Sequence, residues 1–198
     1  MYYHVKSKKQ LLDIIDSLSQ ITPNDIDLNW IDISNLTDLT RVFAKIKNLN
    51  IDCSEWDTRH VEKFNYIFAF SSNTNIKANN WQFDSAKEFD GMFYACKTIN
   101  VEIDAEHWNS KNVKTMQKMI CGCTNQNLLH YATKLDISGC QNFSAMFDSS
   151  KCKEDLSNWE IPNNVPGAFT KKDMNVYGTG SMVYNCYDLQ HYGKLPKI

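Results

Sequence analysis

The chain has 198 residues, 42% of them hydrophobic, with 23 acidic against 21 basic side chains and a formal charge of -2. This describes one domain, or two small ones, with enough apolar material for a core. The balance argues against broad electrostatic binding to nucleic acid, and arginine occurs only at Arg41 and Arg59. No run of about 18 apolar residues suggests a membrane helix, and Met1 to Gln20 lacks the pattern of a signal peptide.

The first predicted element is an amphipathic helix over about residues 8–19. Leu11, Leu12, Ile14, Ile15 and Leu18 form its apolar stripe, Ser7 is the candidate cap and Thr22-Pro23 the stop. Residues 1–24 read as an N-terminal cap. Residues 25–160 are an array of internal repeats. Ile31, Asp32, Ile33, Ser34, Leu36, Leu39, Val42 and Phe43 open it. Three units then start at Trp56, Trp81 and Trp108, each with apolar residues at offsets +5, +8, +11 and +12, and usually +15, where Ser71 stands in the first.

Leu135, Asp136, Ile137, Ser138, Cys140, Phe143, Met146 and Phe147 match the opening unit without a gap. A decayed last unit combines Leu156 to Trp159 with Met182 to Leu189. The large residue at +12 runs Phe43, Phe68, Phe93, Ile120, Phe147, Val183, at steps of 25, 25, 27, 27 and 36 residues. Such a period lies in the roughly 20–29 residue range of leucine-rich repeats.

The offsets mark one stripe of a helix, with Thr58, Ser85 and Ser110 as candidate caps. Alternating runs precede the tryptophans: Ile51-Asp52-Cys53-Ser54, Ile76-Lys77-Ala78-Asn79 and Val101-Glu102-Ile103-Asp104. They read as strands with apolar residues inward. Each unit is expected to be strand, turn, short helix, turn, and to bury its apolar face only against a neighbour. The expected fold is therefore α/β: a short right-handed leucine-rich-repeat-type solenoid of about five or six strand-turn-helix units with an N-terminal capping helix. Residues 161–198 form an irregular C-terminal unit and cap, with Tyr177, Tyr184, Tyr187 and Tyr192 as covering bulk.

Ile51-Asp52-Cys53-Ser54-Glu55-Trp56-Asp57-Thr58, with Val61 and Phe64 to Phe68 after it, resembles the BspA-like leucine-rich repeat, also called the bacterial surface protein repeat. Asp155 to Glu160 and Glu88 to Cys96 resemble its strand and helical parts. The resemblance spans about residues 25–160, with a weak echo at 182–189. It implies an extended repeat surface used for binding, often as a bacterial adhesin.

Chemical motifs are sparse. The seven cysteines include no Cys-x-x-Cys pair and recur at core positions, so they read as reduced, buried thiols in a reducing compartment, with Cys121 the exposed exception. The five histidines include no His-x-x-x-His pair, and Gly178-Thr179-Gly180 lacks the rest of a phosphate loop. The tryptophans read as core residues closing the strand ends. No catalytic residue, metal site or cofactor is expected. The polar strand positions should align into a mostly acidic column, broken by Lys77. As a binding strip for a basic protein partner it would use Asp52, Glu102, Asp104, Glu106 and Asp136.

The functional expectation is a non-enzymatic protein-interaction module that binds a macromolecular partner through the strand face. The alternatives are a phage or viral accessory protein, either a virion component or an inhibitor of a host defence enzyme, and a bacterial surface adhesin. The many Asn and Lys residues fit an AT-rich genome, bacterial or viral. The expected location is the cytoplasm, or host cytoplasm or virion for a viral source, without membrane insertion.

Overall fold

A computed structural model describes residues 2–22, 24–104, 108–157, 159 and 186. The elements in chain order are β1 (Tyr3–His4), α1 (Lys8–Ile21), β2 (Asp25–Asp27), β3 (Ile31–Asp32), β4 (Asn50–Asp52), β5 (Thr74–Lys77), β6 (Ile99–Glu102) and α2 (Gln126–Ala132). Pro23, the C-terminal tyrosines and the 182–189 echo, apart from Cys186, lie outside the described residues.

Helix α1 begins where Ser7 accepts the Gln10 amide, and ends at Thr22, whose amide and hydroxyl both donate to the Leu18 carbonyl. Leu11 and Ile15 are buried, with Ile14 and Leu18 packed against the same core. The strands β2, β4, β5 and β6 pair in parallel in that order. The register steps by one repeat: Ile26 faces Ile51, Ile51 faces Ile76, and Ile76 faces Val101. Alternation puts these four inward and their polar neighbours outward. In the opening unit the strand of this sheet is β2. Ile31 instead repeats the tryptophan position: its amide bonds the Leu28 carbonyl as those of Trp56 and Trp81 bond Cys53 and Ala78. The short β3 pairs separately with β1.

Among the described residues the helix expected over each apolar stripe is not there. The stripe residues Leu39, Val42, Phe43, Phe64, Ile67, Phe68, Phe89, Met92 and Phe93 are buried, but their backbone runs through successive tight turns. Alternate amides bond the next unit: Leu39 to Lys63, Arg41 to Asn65, Phe43 to Ile67 and Lys45 to Ala69, at 2.8–3.0 Å. The amides between them close local turns, Val42 on Leu39 and Ala44 on Arg41. The physical reason is spacing. Parallel strands sit about 4.8 Å apart, whereas an α-helix is about 10 Å across, so flush stacking on this side excludes it. A left-handed residue recurs every fourth position (Arg41 and Lys45, Tyr66 and Phe70, Gly91 and Ala95, Lys118 and Gly122). Turns repeating every four residues bring apolar side chains back to one face almost as a helix does, which is why the stripe misleads. The expected caps follow the same rule: Thr58 exchanges hydrogen bonds with the backbone of Gln82, and the Ser110 hydroxyl donates to the Asp136 carbonyl.

The marker aromatics lie in file. Phe43 and Phe68 stack at 6.0 Å, Phe68 and Phe93 at 5.4 Å, and Phe93 on Trp108 at 6.1 Å. The column of Ser71 and Cys96 has a polar task as well as bulk. Ser71 donates to the Phe43 carbonyl at 2.8 Å, and Cys96 to the Phe68 carbonyl at 3.0 Å. A small donor is wanted there, so serine and cysteine interchange. Helix α2 arises where the alternating pattern lapses. Asn125 caps it by accepting the Leu128 amide and donates its own amide group to the Ile99 carbonyl on β6. Leu128, Leu129 and Ala132 are its buried face.

Three tryptophans anchor one unit to the one before. The indole N–H groups of Trp56, Trp81 and Trp159 donate to the carbonyls of Leu28, Cys53 and Thr133 at 2.9–3.0 Å. Trp108 is buried with its N–H unpaired among the described residues. Trp81→Phe is therefore expected to destabilise more than Trp108→Phe, by about 1–2 kcal/mol, because only the first loses a buried hydrogen bond. Urea denaturation of the two variants checks this, and equal losses would contradict the assignment.

Candidate functional site

The strand face carries the outward residues of the sheet. One file runs Asp27, Asp52, Lys77, Glu102, and the other Asp25, Asn50, Asn75, Asn100. The second is an amide ladder, with Asn50 donating to Asp25 and Asn100 to Asn75. In the first, Lys77 Nζ lies 3.4 Å from the Asp52 carboxylate, and Asp52 also accepts from Asn29 and from the amide and hydroxyl of Ser54. Burial opposes ionisation of Asp52, but these hydrogen bonds outweigh it and bring its pKa down to about 2.

Of the expected site residues, the structure therefore brings Asp52 and Glu102 into one file, with a lysine between them. Asp104 is exposed just beyond β6. Glu106 lies outside the described residues. Asp136 does not join the column: it sits at the position after the tryptophan equivalent and accepts the Ser138 amide at 2.9 Å. Asp32, Asp57 and Asp27 make the same bond to the amide two residues on. Many of these aspartates close local turns.

Asp52 makes stability pH-dependent. Its folded pKa lies below the usual value of 3.8, so its contribution is fully present above about pH 4 and is lost as pH falls towards about 2. The side chain is 32% exposed, so solvent screening reduces the contribution to roughly 1–2 kcal/mol. Asp52→Asn is expected to show a shallower fall in unfolding free energy than the native chain over that window, measured by urea titration at stepped pH.

A different surface has the features of a binding site. The turn segments of successive units form a groove of about 530 Å³ lined by Arg41, Ala44, Lys45, Tyr66, Ala69, Phe70, Tyr94 and Lys118. A second concavity of about 800 Å³ shares Lys45 and Phe70 and adds Lys47, Ala95 and Lys97. Phe70 is 48% exposed. Its ring packs edge-on against Tyr94 at 5.1 Å, and Tyr94 packs edge-on against Tyr66 at 6.2 Å. The Arg41 guanidinium lies 5.4 Å from the Tyr66 ring centre. Tyr66 has room to lie across the next unit because that unit carries Gly91, whose missing Cβ would fall within 2.8 Å of three ring atoms.

Arg41, Lys45, Lys47, Lys97 and Lys118 form no ion pair among the described residues, and no acid lines either concavity. By contrast Lys8, Lys63 and Lys87 are paired with Asp38, Glu88 and Glu62. Sequence reasoning missed this site because its residues occupy outward positions of what read as a helix. The readable signal was the column two residues before each marker: Arg41, Tyr66, Gly91, Lys118.

All the described cysteines are buried, including Cys121, which was expected to be exposed. Burial pushes the Cys121 and Cys123 thiols up to about 11, away from the reactive thiolate form. Among the described residues no group of three His, Cys, Asp or Glu could hold a metal ion, and no helix is long and apolar enough to cross a membrane.

The chain is thus a repeat protein whose units pair backbone to backbone and whose exposed turns form a basic, aromatic groove. It belongs to the family described as "Mycoplasma protein of unknown function, DUF285", whose model matches residues 10–133 and again 100–175. No curated protein and no solved structure matches the chain.

Proposed function

We propose that the chain is a non-enzymatic protein-interaction module, a solenoid of the BspA-like leucine-rich-repeat type, and that it binds its partner through the turn-face groove. The repeat wording around Trp56 and Trp81 and the one-repeat register of the sheet support the solenoid reading. The observation that carries the binding role is the cluster of cations without ion pairs, among the described residues, around exposed Phe70 and half-buried Tyr66 and Tyr94. Tyr66 at φ 54° and Phe70 at φ 62° each hold a bulky side chain where glycine is favoured, at a cost of about 1–2 kcal/mol. The same left-handed positions recur in the other units, so the strain belongs to the repeat turn, and it is the large rings carried there beside unpaired cations that support a binding role. The strand face, expected to receive a basic partner, is a weaker candidate, because Lys77 splits its acidic file and Asp52 is held by its own neighbours.

Position-resolved photo-crosslinking tests this reading. A crosslinking residue at Phe70 or Tyr94 should give a discrete protein adduct in native extract, and one at Asp27 or Lys77 should not. Adducts from the strand face alone, or equal yields from both faces, would overturn the choice of surface.

A further inference from the structure

We infer that the occupant of the groove is an extended acidic segment of a protein, carrying a bulky apolar side chain between its carboxylates. This rests on the interaction-module reading and adds the chemistry of the partner. The first ground is charge. Arg41, Lys45 and Lys118 line one concavity and Lys45, Lys47 and Lys97 the adjoining one, with no carboxylate in either wall. On a chain with a net charge of -2, five cations without an ion pair among the described residues around two neighbouring hollows, with no acid in either lining, suit a local negative charge.

The second ground is shape. Ala44 and Ala69 line one hollow and Ala95 the other, with Phe70 lining both and Tyr94 the first, so small side chains lie beside aromatic ones. A hollow of about 530 Å³ has room for a large apolar side chain against these rings.

The third ground separates a peptide from a nucleic acid strand. Base stacking needs open, roughly parallel ring faces. Here the rings pack edge to face, at 77° for Phe70 with Tyr94 and 69° for Tyr66 with Tyr94, and the Tyr66 ring is already engaged by Arg41. Such walls form a notch for a side chain rather than a ladder for bases. Four of the five cations are lysines, point charges suited to single carboxylates, without the paired donors of a guanidinium.

Fluorescence anisotropy with defined probes tests the inference on the full chain. The probe is a fluorescein-labelled peptide, Glu-Asp-Glu-Phe-Leu-Glu-Asp-Glu. The comparison probes replace Phe-Leu by Ser-Ser, replace every acid by lysine, or use a single-stranded oligothymidylate of equal charge. The acidic apolar peptide should bind about tenfold or more tightly than each comparison probe, and more weakly as salt rises.

Lys45→Glu combined with Lys118→Glu should weaken it about tenfold, Phe70→Ala about fivefold, and Lys6→Glu, away from the groove, less than about twofold. Absence of binding, tighter binding of the oligothymidylate, or equal loss in Lys6→Glu would overturn the inference. Phe70→Ala and the salt series keep the test decisive should the double variant fail to fold. A Phe70 crosslink that captures a protein while the acidic peptide fails would overturn the acidic occupant and leave the docking surface standing.

Discussion

Phe68→Ala is expected to lower the unfolding free energy by roughly 3–5 kcal/mol. Phe68 is fully buried and stacks on Phe43 at 6.0 Å, on Phe93 at 5.4 Å and on Trp81 at 5.9 Å, so its ring ties its own unit to the units on either side. Removing it leaves a cavity that a stack fixed by unit-to-unit hydrogen bonds cannot collapse to fill. Units of this kind are stable only through their neighbours, so the loss should also reduce cooperativity, seen as a broader urea transition. Phe70→Ala, two residues on and half exposed, is expected to change stability by less than about 0.5 kcal/mol. A Phe68→Ala loss as small as that of Phe70→Ala would contradict the stacked core.

Gly91→Ala is expected to cost roughly 2–4 kcal/mol and to damage the groove together with the fold. Two separate effects combine. Gly91 has φ +57°, where a Cβ is strained, and the added carbon would lie 2.2 Å from the nearest atom of the Tyr66 ring. Gly122 is the informative comparison. It has φ +68°, but its nearest neighbour would be 3.5 Å away, so Gly122→Ala carries the backbone cost of about 1–2 kcal/mol alone. Thermal unfolding of both variants separates the terms. Binding of the acidic probe to Gly91→Ala should fall with the displacement of Tyr66, while Gly122→Ala should keep it. Equal stability losses in the two variants would show that the ring moves freely.

The opposite signs of the two surfaces explain why the binding expectation shifted. On the strand face, alternation places every second residue outward, so an acidic column could be read from Asp52, Lys77 and Glu102 directly. What those carboxylates bond could not be read. Asp52 is taken up by Asn29, Ser54 and Lys77, and Asp136 by Ser138. On the turn face the reverse holds. Arg41, Tyr66 and Lys118 are separated by 25 and 52 positions in the chain and become neighbours only through the register.

The amino-acid order alone determined the repeat, its step of 25 and then 27 residues, the inward residues of the described units, the N-terminal helix with its Ser7 cap, and the burial of Trp56, Trp81, Trp108 and Trp159. These follow from periodicity and from local side-chain bonding, both of which act within a few residues. The tertiary structure decided what the apolar stripe becomes. A helix closes its amides within one unit, whereas these turns close half of theirs on the next, and a spacing of three, three, one and three fits both. It also decided which charges are left without partners. An ion pair depends on reach across neighbouring units, so Lys63 is spent on Glu88 while Lys45 and Lys118 remain open beside Phe70.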